Sequence, residues 1–178
     1  MKLGVKKMVT MAILAALSIV LMVLIKFPII PAAPYLIYEP ADVPILIGAF
    51  LFGPLAGLAV TVVVSGIQAM AFSADGWVGF VMHVMATGTF VTTAGLIYRK
   101  CHSRKGAIAA LAAGTLAMAA VMVPVNLIIQ PRFYHMSYDF VKGMILPVII
   151  PFNLIKAGLN SIITMIVYKS ISRVVHKA

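Results

Sequence analysis

The sequence predicts an all-α integral membrane protein: one bundle of six transmembrane helices over residues 1–178, with cytoplasmic N- and C-termini. Three observations carry that prediction. Of 178 residues, 63% are apolar and 10% charged, against about half and a quarter in a soluble domain, and mean hydropathy is +1.11. The apolar residues fall in long runs. The charges, fourteen Lys and Arg against four Asp and Glu, lie between those runs, where basic residues mark cytoplasmic loops. On a soluble chain a net charge of +10 would suggest nucleic acid; here it is a topological signal, and no nucleic-acid partner is expected. Composition excludes an ordinary cytosolic enzyme and a disordered chain. The single Cys101 excludes an internal disulfide and a cysteine-based metal site.

A crossing helix needs roughly 20 apolar residues. The first run, Met8 to Leu24, follows Lys2, Lys6 and Lys7. It has the basic start of a signal peptide, but Lys26 and the Pro-rich stretch from Phe27 to Pro34 lack a small-residue cleavage pattern. A retained first helix is therefore expected. Within it, Ala12 and Ala16 form a small-xxx-small pattern, which allows close approach of another helix.

The second run, Val43 to Phe72, is long enough for one tilted helix or two short ones, and charge decides between them. Basic clusters lie at Lys2/Lys6/Lys7, at Arg99/Lys100/Arg104/Lys105 and at Lys169/Arg173/Lys177. Placing all three in the cytoplasm requires an even number of crossings between them. The second run must then cross twice, breaking at Gly53-Pro54. Its halves are short for full spans, so thinning, tilt or partial burial is expected. The remaining runs are Trp77 to Tyr98, Ala107 to Ile129 and Met144 to Val167.

Phe27–Asp42, Ser73–Gly76 and Gln130–Lys142 are expected to face outward, with all four acids (Glu39, Asp42, Asp75, Asp139) and many of the aromatics. Those aromatics read either as an interfacial belt or as a lid that stacks on a flat ligand. No internal repeat supports an inverted-repeat transporter.

Lys156 is the most informative residue. It stands roughly 20 Å of helix from Lys142 and from Lys169, too far for a snorkelling side chain. A charge at that depth costs about 2.5–3.5 kcal/mol on insertion scales and should face a partner or a wet cavity. Asn153 and Asn160 share its helix face. Pro147 and Pro151 should kink the helix just before them. An inter-helix polar clamp and a ligand site both fit; the ligand site is favoured because no carboxylate is expected at that depth. Asn126 lies just after Pro124 on the fifth helix, Ser65 and Gln68 share the third, and His83 and Thr87 the fourth. Such neutral donors and acceptors suit a polar, uncharged solute better than an ion. There is no GxxxxGK[ST] phosphate loop, HExxH or GxSxG, so neither ATP coupling nor enzymatic chemistry is expected, and no metal or cofactor site.

Two stretches carry a family resemblance: PYLIYEPADVP from Pro34 to Pro44 leading into GAFLFGPLAG from Gly48 to Gly57, and PFNLIKAG from Pro151 to Gly158. Together they resemble the S components of energy-coupling factor (ECF) transporters, most nearly the riboflavin-specific branch, with its "D-x-x-D-[IV]-P", "F-G-P-x-x-G" and "P-F-N-x-[IL]-K-G" elements. Here Glu39 followed by Pro40 replaces the first acid, Ala157 stands where Gly is common, and Val64-Ser65 stands where a basic residue is frequent. Val125-Asn126 resembles the Asn-bearing fifth helix, and Ala12 and Ala16 match the Ala-x-x-x-Ala docking motif.

The resemblance implies a subunit of a prokaryotic plasma membrane that captures riboflavin from outside, with FMN open as a second ligand. It further implies docking on a T component that carries two ABC-type ATPases. By the same resemblance Asn126, Asn153 and Lys156 bind the isoalloxazine edge, Tyr35, Leu36, Glu39 and Gln68 complete the site, and Ala12 and Ala16 face the partner. Two other readings stay open: an S component for another vitamin such as thiamine or pantothenate, and a self-contained facilitator or channel.

Overall fold

The computed structural model describes residues 4–31, 33–72 and 75–177, with side chains described as far as residue 168. Lys2 and Ser73 lie outside the described residues, as do the side chains of Lys169, Arg173 and Lys177. Six helices form the bundle: α1 (Val5–Leu24), α2 (Asp42–Phe52), α3 (Pro54–Ala71), α4 (Gly76–Lys100), α5 (Arg104–Phe133) and α6. The last is built of Tyr138–Met144, a π turn over Ile145–Ile149, and Ile150–Lys177. Between α1 and α2 the strands β1 (Phe27–Pro28) and β2 (Ile37–Tyr38) pair antiparallel.

The second apolar run breaks where expected. Gly53 sits at φ 93°, a conformation that side-chain-bearing residues avoid, and its N–H closes α2 on the Ala49 carbonyl at 2.8 Å. Pro54 then opens α3 at a position where its missing N–H costs nothing. Five helices are long and apolar enough to cross a membrane, and α2 is the short one. Its eleven residues rise roughly 16 Å, about half a hydrocarbon core.

Before α2 come only the two residues of β2 and a short turn over residues 39–41, and here the structure corrects the sequence reading. Glu39 and Asp42 do not face outward: the segment after β2 descends into the bundle, leaving Glu39 7% exposed and Asp42 fully buried. Non-helical backbone is tolerated at that depth only where protein surrounds it or a cavity adjoins it. Nine residues of α2 are buried, from Asp42 to Phe50. Lipid therefore meets the outer helices, and α2 forms the centre of the core with Phe90, Val91 and Met118.

Two bundle ends can be told apart. At the first, Lys7 Nζ lies 5.7 Å from the Phe52 ring, Phe50 stacks on Tyr98 at 4.2 Å, and Tyr168 meets both rings edge-on. The N-terminus of α1, the C-termini of α2 and α4 and the lower part of α6 therefore share one end, with Arg99 and Lys100 in the last turn of α4. At the other end Trp77 packs edge-on against Phe133, 4.7 Å between centroids, and Tyr35 reaches Met144. Close packing of α4 on α5 depends on Gly114, where a Cβ would stand 2.7 Å from Phe90 Cδ2 and 2.9 Å from the Phe90 carbonyl.

Candidate functional site

A cavity of about 360 Å³ opens toward the Trp77 end. That volume lies within the range of roughly 300–1,000 Å³ usual for small-molecule sites. Lys26, Tyr35, Phe72 and Asp75 stand at its mouth, and Glu39, His83, Asn126, Asn153 and Lys156 lie deeper. The apolar wall comes from Met82, Met118, Met122, Ile149 and Phe152. Tyr35, Leu36, Glu39, Gln68, Asn126, Asn153 and Lys156, scattered over four parts of the sequence, all line this one space.

Each deep polar group is set by its helix. Where Pro147 and Pro151 were expected to kink α6, the backbone forms the π turn, with the Ile150 N–H bonding to the Ile145 carbonyl. Pro151 has no N–H to return to the preceding turn, so the widened turn absorbs the lost bond. The Ile149 carbonyl accepts from Asn153 Nδ2 at 2.8 Å, which leaves Asn153 Oδ1 as an acceptor for the cavity. On α5, Asn126 Nδ2 donates to the Met122 carbonyl at 2.7 Å, and Gln130 Nε2 donates to Asn126 Oδ1 at 2.6 Å.

Lys156 has the carboxylate partner that the sequence reading denied it. Its Nζ lies 3.9 Å from Glu39 Oε1, both side chains being 9% exposed. Glu39 Oε1 also accepts from Gln68 Nε2 at 3.0 Å. The remaining Gln68 oxygen is buried without a hydrogen-bond partner. Nor is the site composed of neutral groups alone: His83 Nε2 lies 3.8 Å from Glu39 and 3.7 Å from Asp42, and its Nδ1 bonds to Ser65 Oγ at 2.7 Å. Asn160, one helical turn from Lys156, bonds to Asp42 and Tyr38.

Sequence reasoning marks Asp42 and Thr87 for their chemistry without assigning them to the site, and places Tyr38 only in the Tyr35–Tyr38 segment that would help to close it; none of the three lines the cavity. The usable signal is the acidic pair Glu39/Asp42 just before a helix start. At the mouth, burial and a hydrogen bond to Asp75 push the Tyr134 phenol up to about 12, so it remains a donor to that carboxylate at neutral pH. Ala12 and Ala16 lie outside the site, exposed on the side of α1 away from buried Leu14, Ser18 and Met22. Among the described residues no group of His, Cys, Asp or Glu is arranged to hold a metal.

Residues 6–168 match the family described as "ECF transporter, substrate-specific component". The chain is similar to the riboflavin transporter RibU of Staphylococcus aureus (strain TCH60), with 33% identity covering 94% of this chain and 90% of the relative. It is also 31% identical to the riboflavin transporter FmnP of Bacillus subtilis (strain 168), over 92% of this chain and 90% of that one. A solved structure, described under "Structure and mechanism of the S component of a bacterial ECF transporter", superposes with a TM-score of 0.81 at 34% identity. It covers 94% of this chain and 96% of its own. These relatives are transport components and not enzymes. The chain is a multi-pass membrane protein that belongs to the ECF transporter family as a substrate-specific, or S, component.

Proposed function

We propose that this chain is the riboflavin-binding S component of an ECF uptake transporter in a prokaryotic plasma membrane, taking the vitamin from outside. Docking on a T component with two ABC-type ATPases would supply energy that the chain has no motif to supply. The observation that carries the reading is the convergence of Asn126, Asn153, Lys156 and Gln68 on one cavity with methionine and phenylalanine walls. Riboflavin is neutral, with a flat ring system that carries carbonyls, ring nitrogens and an N–H along one edge, and a ribityl tail that carries the hydroxyls. An ammonium and the amides of Asn126 and Asn153 match those groups, and the Met and Phe side chains match the ring faces. The names of two relatives, both riboflavin transporters, support the same ligand. Riboflavin would be cargo here, not a cofactor.

The direct test is thermal stabilisation of the purified protein against a vitamin panel that includes riboflavin, FMN, thiamine and pantothenate. Riboflavin should raise Tm most, since a ligand at 100 times its Kd adds about 2.7 kcal/mol to the folded state. A larger shift with thiamine or pantothenate would reassign the site within the same family. Uptake by vesicles holding this chain alone would favour a facilitator.

Orientation is proposed on charge. The shared end of Lys7, Arg99 and Lys100 would be cytoplasmic, which puts the cavity mouth outside. With Cys101, an exposed free thiol, replaced by Ser, Asp75→Cys should label with an impermeant maleimide from outside intact cells. Labelling only after the membrane is opened would invert the topology.

A further inference from the structure

Beneath the cavity lies a second polar layer that contributes nothing to its lining. Tyr38 Oη donates to Asn160 Oδ1 at 3.0 Å, and Asn160 Nδ2 donates to Asp42 Oδ2 at 2.9 Å. Thr87 Oγ1 donates to the other Asp42 oxygen at 2.8 Å. Asp42, Thr87 and Asn160 are fully buried, and Tyr38 nearly so. The four come from β2, α2, α4 and α6. Each stands next to a residue that does line the cavity: Thr87 is one helical turn below His83, Asn160 one turn below Lys156, and Tyr38 and Asp42 bracket Glu39.

The spacing above it is open. A charge-assisted N–H···O bond closes at about 2.7–2.9 Å, yet Lys156 Nζ stops 3.9 Å from Glu39 Oε1. Coulomb attraction in a poorly screened interior strengthens as the pair closes, so an unrestrained Glu39 would move onto the ammonium. Instead Glu39 takes its close hydrogen bond from Gln68.

We propose that Tyr38, Asn160, Asp42 and Thr87 act as a spacer. The layer keeps Glu39 near enough to Lys156 to compensate its charge within the membrane, and far enough that the ammonium hydrogens stay free for a ligand carbonyl. Glu39 is thus a potential internal competitor of the ligand, held back from below. The four are positioning residues, since none touches the cavity. The inference rests on the reading of Lys156 as a riboflavin contact.

The test is a double-mutant cycle on the full chain in nanodiscs, read as riboflavin affinity by fluorescence titration. Asn160→Ala should weaken binding about tenfold when Glu39 is present, and less than about threefold when Glu39→Gln is present too, because no carboxylate then remains to capture Lys156. Thr87→Val and Tyr38→Phe, each close in shape and each removing one hydrogen bond, should show the same sign of coupling and carry the cycle if Asn160→Ala does not fold. Equal losses in both Glu39 backgrounds would mean simple structural damage and overturn the spacer, as would unchanged affinity in all three variants. Lys156→Met, measured alongside, separates the two readings. If it costs affinity while the cycle is additive, only the spacer falls; if it costs none, the flavin assignment falls and the spacer with it.

Discussion

Riboflavin should bind folded Lys156→Met protein roughly 10- to 150-fold more weakly than the unaltered chain. The ammonium stands at the deep end of the cavity, 3.9 Å from Glu39 and buried apart from the surface it presents to that space. A hydrogen bond to a charged group is worth about 1.5–3 kcal/mol, and each 1.4 kcal/mol is about a factor of ten in affinity. Glu39 adds a second effect. Without a carboxylate nearby, an apolar Met of similar length would relieve the buried charge and stabilise the empty protein. With Glu39 in place the substitution leaves that carboxylate facing only Gln68 and His83, so the empty protein should lose about 1–3 kcal/mol, less than a fully buried broken pair costs. Adding Glu39→Gln should restore the Tm but not the affinity. Fluorescence titration and thermal unfolding of the single and double variants measure both quantities. Unchanged affinity in folded Lys156→Met protein would make Lys156 a structural clamp.

Some of this fold and site is legible in the amino-acid sequence and some is not, and the division follows from what each signal depends on. The break at Gly53-Pro54 depends on local backbone chemistry: a glycine at positive φ followed by a proline at a helix start. Lys156 stands out because the cost of a charge far from either membrane surface can be read from its position on a long apolar run. The depth of Glu39 and Asp42 depends on neither. They belong to a short Pro-rich stretch that reads as an exposed loop, and only the packing of α2 at the centre of the bundle draws it inward. Once it is inside, the acids meet His83, Thr87, Asn160 and Lys156 from α4 and α6. No spacing along the chain encodes that meeting. The same reason hides the partner of Tyr38, whose hydroxyl bonds to a residue far along the chain.

Ala12→Trp should leave riboflavin affinity within about threefold of the unaltered chain while lowering energised uptake in cells that also carry the T component and its ATPases. Of α1, only the stripe of Leu14, Ser18 and Met22 is buried in the bundle. Ala12 and Ala16 lie on the exposed side beside exposed Ile13, Leu17 and Val20, and no residue of α1 lines the cavity. An indole there meets lipid in the isolated protein, so neither core nor site has reason to change. Two alanines one turn apart let a second helix approach closely, where dispersion between packed surfaces drives association in a membrane. A Trp inserted into such a contact costs about 1–3 kcal/mol in overpacking, roughly 5- to 150-fold in docking. Ala16→Trp should act in the same direction, and Val20→Trp, on the exposed face but outside the small-residue pair, less strongly. Comparing binding by the purified variants with ATP-dependent uptake decides the matter. If Ala12→Trp destroys binding in the isolated protein, this face of α1 serves the protein's own folding and the partner must dock elsewhere.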